Sequence, residues 1–138
     1  MIYETIYKRL LALGIDVRVG IPEYAKSESG GYMDLHLDRL ISDRPDAVRI
    51  SLAHYFEMNG DQVPDPDMEI QIFREMEMAE VLSYSDQASY REVYPEPGKV
   101  DLAAKQDLNR FLNTWLKNCL DQGHHFSGIP HEDAVHQG

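Results

Sequence analysis

The chain has 138 residues, enough for one domain with a real core and too few for two ordinary ones. Its formal net charge of −11, from 24 acidic and 13 basic residues, argues against direct binding to nucleic acid or anionic lipid, and no apolar run reaches the roughly 20 residues that span a bilayer. The single cysteine, Cys119, excludes an internal disulfide, and Glu4, Lys8 and Arg9 interrupt the apolar run a signal peptide would need, so a reducing, cytoplasmic setting is expected.

In chain order, Ile2, Ile6, Leu10 and Leu13 form a stripe at helical spacing, and Gly14 supplies a stop, which predicts a short first helix over residues 2–13. Tyr3, Tyr7 and Leu11 can widen its buried face. From Asp16 to Gly31 the pattern breaks at Pro22 and the SESGG run, with Val17 and Val19 as a short edge strand. The paired glycines lack the setting of a phosphate loop.

The period then changes to two. Met33, Leu35 and Leu37 alternate with Asp34, His36 and Asp38, and after the turn at Ser42 to Asp46 the alternation resumes from Val48 to Glu57. Asn59-Gly60 is a strong hairpin dipeptide, Pro64 and Pro66 interrupt, and strands follow over Met68 to Phe73 and Met78 to Tyr84. Residues 85–98 read as a Tyr- and Pro-rich loop.

The clearest helix runs from Asp101 to Gly123. Leu108, Phe111, Leu112, Trp115, Leu116, Cys119 and Leu120 share one face, while Lys105, Asn109, Arg110, Asn113, Lys117 and Asp121 occupy the polar one. Asp101 stands as N-cap, and Gly123 suits the left-handed residue that ends a helix. The expected fold is α+β: a four-stranded antiparallel β-meander packed against the long C-terminal helix, with the short N-terminal helix beside it. Residues 1–123 would form the single domain and residues 124–138 a flexible polar tail.

The run Leu108-Asn109-Arg110-Phe111-Leu112, then Trp115-Leu116 and Cys119-Leu120, resembles the C-terminal signature of the YqiB-like family of bacterial proteins of unknown function. Ala79-Glu80-Val81-Leu82 and Tyr94-Pro95 precede it in the same order, so the resemblance covers about Met68 to Gly123. It implies no catalytic residues and no cofactor.

Several candidate chemistries meet plainer readings. Asp61, Asp65, Asp67 and Glu69 alternate in a way that sets neighbouring carboxylates about 6.8 Å apart on one face, too far to share a cation, and the steps of a calcium-binding loop are absent. No metal site is expected there. His124, His125, His131 and His136 lack the closely spaced cysteines of a structural zinc site. His54 falls on an apolar face, where a core histidine with one hydrogen-bond partner is the usual outcome. Cys119 shares the buried stripe, which makes a thiol inert. Tyr84, Tyr90 and Tyr94 could stack bases, but in a segment of the wrong sign.

The acidity itself is local. Residues 57–97 hold eleven acidic residues and two arginines, a net of −9, which leaves −2 for the rest. Glu57, Asp61, Asp65, Asp67, Glu69, Glu75, Glu77 and Glu80 are therefore the expected partner-binding surface. A row of carboxylates on adjacent strands approaches the charge density of B-DNA, about one per 3.4 Å of axis per strand. The favoured function is a non-enzymatic interaction protein that presents an acidic hairpin to a basic protein or a nucleic-acid-binding complex, a nucleic-acid-mimicking inhibitor of the anti-CRISPR or anti-restriction type being one form of it. Two alternatives stand beside it: a small-ligand or metal-assisted enzyme with a pocket around His54 between sheet and helix, and a charge that serves solubility alone. The residues leave homo-oligomerisation open.

Overall fold

The computed structural model describes residues 1–126. Helix α1 spans Ile2–Ala12, six strands follow, β1 (Tyr24–Ser27), β2 (Leu35–Leu40), β3 (Ala47–Met58), β4 (Asp61–Phe73), β5 (Met78–Ser85) and β6 (Tyr90–Glu92), and helix α2 spans Leu102–Asp121. The strands form one antiparallel sheet in chain order, β1-β2-β3-β4-β5-β6. The α+β meander is as expected, but the sheet has six strands, not four. The two additional strands lie at the edges. The edge strand expected at Val17 and Val19 falls instead at Tyr24–Ser27, because Asp16 Oδ1 accepts from the Arg18 backbone N–H and closes a tight turn. Within the stretch expected as loop, Asp86 Oδ1 accepts from the backbone of both Ala88 and Ser89, and this turn folds Tyr90–Glu92 back onto β5.

Register explains which face is buried. Leu37, Leu52 and Met68 stand side by side, as do Ile50, Ile70 and Val81, and Val48, Ile72 and Ala79. These rows make one continuous apolar face, because alternate residues of a strand point the same way. Helix α1 packs on α2 and on β5, and α2 also packs on β5, so the two helices cover that face. Ile6, Leu10, Leu112 and Leu116 are essentially inaccessible there. Each such side chain contributes about 1.5–3 kcal/mol by leaving water. The opposite rows, such as Asp38, Ser51, Glu69 and Ser83, are polar and face outward.

Helix α2 begins as expected: the Asp101 carboxylate accepts from Ala104 N at 3.0 Å. At its other end Gly123 N donates to the Leu120 carbonyl and His124 N to that of Cys119, with Gly123 at φ +90°. These two bonds are the Schellman arrangement, which turns the residue after the glycine back onto the helix. His124 is accordingly 2% exposed and Phe126 3%. Of the first three residues of the expected tail, His124 and Phe126 are thus packed and His125 is exposed, and the remainder lies outside the described residues.

Candidate functional site

Strands β3 and β4 are the longest of the sheet, at 12 and 13 residues. β2 accompanies β3 only as far as Ala53, and β5 accompanies β4 only as far as Asp67. Beyond those points Tyr55–Pro64, Phe56–Val63, Glu57–Gln62 and Met58–Asp61 pair with each other alone. The result is a two-stranded arm closed by Asn59 and Gly60, both at positive φ (54° and 84°), as the tight two-residue hairpin turn requires. β4 was expected to start at Met68 because prolines break ladders. Here Pro64 and Pro66 sit where β4 has no outer neighbour and where the register with β3 shifts, so the missing N–H groups leave no partner unsatisfied.

The eight carboxylates expected to form one surface are divided by this geometry. Glu57, Asp61 and Asp65 lie on the arm and are exposed, whereas Glu75 and Glu77 lie in the turn after β4, at its opposite end. A 13-residue strand is roughly 40 Å long, so the two groups do not form one row. Within the arm, Glu57 opposes Gln62 and Asp61 opposes Met58, which places the two carboxylates on alternate faces. Of the other three, Asp67 and Glu80 are engaged and Glu69 lines a cavity. Asp67 accepts from Ser51 Oγ at 2.6 Å and from the Tyr55 hydroxyl at 3.4 Å. Glu80 accepts from the Tyr94 hydroxyl at 2.6 Å and lies 3.6 Å from Lys105 Nζ. Glu69 is half-buried beside Arg49, Ser83 and Tyr90 at a cavity of about 140 Å³.

Asp67 also organises the open face of the sheet at the root of the arm. Burial, and then the negative charge of Asp67, pushes Tyr55 up to about 12. Asp38 is raised by burial and by the same neighbour. Tyr24 and His36 meet at 2.7 Å beside them. The arm's base is therefore a fixed, hydrogen-bonded polar patch, while its tip projects free carboxylates and the exposed Met58.

His54 is 8% exposed and belongs to the packed interior. Its Nδ1 donates to the Asp34 carbonyl at 2.8 Å, its ring meets Trp115 edge-on at 5.3 Å, and its Nε2 is 3.9 Å from Cys119 Sγ. Burial pushes the Cys119 thiol up to about 12, which keeps it protonated. Of the tyrosines weighed as a base-stacking platform, Tyr84 bonds Asp86 at 2.6 Å and packs edge-on to Phe111, Tyr94 bridges Glu80 and Lys105, and Tyr90 is exposed. Among the described residues no three His, Cys, Asp or Glu side chains are grouped to hold a metal ion. His131 and His136 lie outside them. No helix among the described residues is long and apolar enough to cross a membrane.

Residues 5–125 match the family described as Domain of unknown function (DUF6908). The chain belongs to that family. The match takes in most of α1, all six strands and α2, so the whole arrangement above is that of a DUF6908 domain. Nothing in the comparisons supports the YqiB-like name suggested by Leu108 to Leu120. No curated protein and no solved structure matches the chain.

Two residues of the DUF6908 domain were placed wrongly by helical periodicity. Asn109, assigned to the polar face of α2, is 1% exposed; its Oδ1 accepts from Val81 N at 2.9 Å and its Nδ2 donates to the Lys105 carbonyl at 2.7 Å. Val81 lies where β6 does not reach, and Asn109 stands in for the missing strand. Phe111, assigned to the buried stripe, is 42% exposed and lies against Trp115. The face of α2 that carries Asn109 is thus turned to the β5 edge, and Phe111 lies toward solvent. The inward turn of His124 was legible, since a glycine cap carries the following residue onto the helix.

Proposed function

We propose that this protein is a non-enzymatic interaction protein that presents the β3–β4 arm to a basic protein partner. The observation that supports this reading is the arm itself: residues 55–65 project beyond both neighbouring strands and carry Glu57, Asp61 and Asp65 with no lysine or arginine. A ribbon of one charge sign steers an oppositely charged partner to itself and makes the encounter salt-dependent. Exposed Met58 at the tip supplies an apolar contact among the carboxylates. The nucleic-acid-mimicking form of this reading, an inhibitor of the anti-CRISPR or anti-restriction type, draws on the arm and Asp67 alone, since Glu75 and Glu77 are remote. The enzyme alternative loses support because His54 is packed among Trp115, Cys119 and His124.

The test is site-specific photo-crosslinking in host lysate, with the crosslinker at position 58 on the arm or at position 76 in the distant turn. A single basic protein trapped from position 58, absent from position 76 and lost in E57K/D61K/D65K, is the expected result. Equal trapping from both positions, or trapping that survives the charge reversal, would leave the charge to solubility.

A further inference from the structure

After α2 the chain does not leave the body of the protein. Gly123 redirects it, and residues 124–126 lie across the gap between α1 and the start of the sheet. Two bonds hold this segment, and a third fixes Gln122 just before it. The Ser29 hydroxyl donates to the Gln122 carbonyl, Ser27 Oγ accepts from His125 N at 3.0 Å, and Phe126 N donates to the Leu13 carbonyl at 2.7 Å. The segment passes so close to Gly14 that a Cβ there would stand 2.8 Å from the Phe126 carbonyl oxygen. His54 lies beside His124, and the buried Cys119 Sγ lies 3.9 Å from His54 Nε2.

His124 is the buried member of this segment. Its Nδ1 is 2.9 Å from Ser27 Oγ, and its ring centroid is 5.9 Å from that of His54. Its Nε2 is buried without a hydrogen-bond partner among the described residues. Among the described residues few groups face it: β1 offers Ser27, the chain before β2 offers the Met33 carbonyl and the Asp34 carboxylate, and β3 offers His54, whose Nε2 is in turn 3.9 Å from the Cys119 thiol. Asp34 is drawn outward to within 4.0 Å of Lys26, which also pairs with Glu28, so its charge is shared away from the ring. A proton arriving on the ring would be a buried charge beside a second imidazole, with backbone carbonyl oxygens as its acceptors among the described residues.

We propose that residues 124–126 are an acid-released strap: protonation of His124 frees the segment from Leu13 and Ser27 and uncovers Cys119 and His54. Burial, then His54, lowers the His124 pKa from the ordinary 6.5, with Asp34 and the Met33 carbonyl opposing. The released segment takes up its proton at the ordinary value, so the closed form is fully favoured above 6.5 and loses ground as pH falls below it. The rest of the sheet and both helices keep their packing through the change.

Two readouts on the full chain test this between about pH 7.5 and about pH 5, the range in which histidine changes charge. One is labelling of Cys119 by dithiodipyridine, scaled to a free cysteine peptide at each pH, and the other is hydrogen exchange of the Phe126 amide, corrected for its intrinsic rate. Wild type should label at least about tenfold faster at the acid end with an unchanged far-ultraviolet spectrum, and Phe126 should lose protection in parallel. H124N, which cannot titrate, should show neither change. Gly14→Ala should expose Cys119 already at the neutral end. Flat labelling and exchange in wild type would overturn the strap, as would a rise that persists in folded H124N or one that comes with loss of the whole spectrum. Should H124N not fold, the wild-type exchange of Phe126 decides alone.

Discussion

Replacing Asn109 by alanine tests the account of how α2 is seated. The substitution removes two hydrogen bonds, the 2.9 Å acceptance from Val81 N and the 2.7 Å donation to Lys105 O. The second loss is mild, because the Lys105 carbonyl belongs to the helix and keeps its backbone role. The first leaves a buried backbone N–H at the β5 edge with no partner, which costs about 1–3 kcal/mol. Truncation of a side chain that is 1% exposed adds the loss of its close contacts. A total of about 2–3 kcal/mol follows from these two parts. For a chain of this length, at about 3–5 °C per kcal/mol, Tm should fall by about 6–15 °C. Denaturant unfolding gives the free energy, and hydrogen exchange gives the location: the Val81 amide should lose protection more than Ile70 or Ile72 on the neighbouring strand. An N109A protein within about 0.5 kcal/mol of wild type, or one with Val81 still protected, would refute the idea that Asn109 completes the sheet edge.

Trp115→Ala should cost about 3–5 kcal/mol by denaturant titration, because the ring fills the space between His54 and Phe111. Asp101→Ala should cost about 1 kcal/mol by the same measurement, and Asp101→Asn much less, since an amide oxygen can still accept from Ala104 N. In alkaline spectrophotometric titration, Tyr55 and Tyr84 should ionise only near 12, because both are held back by burial and a neighbouring carboxylate. Reversal of Asp67 to lysine should destabilise the root of the arm by stranding Ser51 and Tyr55, whereas Asp61→Lys at the tip should leave the melting temperature within about 1–2 °C.

Much of this architecture was legible because burial imposes a period. Leu108, Leu112, Trp115, Leu116 and Cys119 announced α2, and the alternation through Ile50, Leu52 and Ile70 announced the central strands. The edge strands were not legible for the same reason. Tyr24–Ser27 and Tyr90–Glu92 are three or four residues long, half solvated, and defined by pairing with distant residues rather than by a pattern of their own. The eleven acidic residues of 57–97 stand out in the sequence as a local excess, but charge carries no period. Only the register separated the free carboxylates of the arm from Asp67 and Glu80, whose hydrogen-bond partners come from β3 and the chain after β6 and whose ion-pair partner comes from α2. Asn109 was misplaced because polarity predicts exposure, and a sheet edge that needs one acceptor overrides that rule.

The order of the strands bears on how the protein is made. Each strand pairs with the one synthesised just before it, so the sheet can assemble hairpin by hairpin as the chain emerges. Its apolar face has no such early partner of sufficient size. Arg9 of α1 finds Asn113 of α2 across 104 positions of sequence, a contact that exists only once residues 102–121 have left the ribosome. Until then Leu37, Leu52, Met68 and Ile70 form a broad greasy surface covered at most by α1. A nascent chain stalled before Leu102 is therefore the form of this protein that a chaperone would hold.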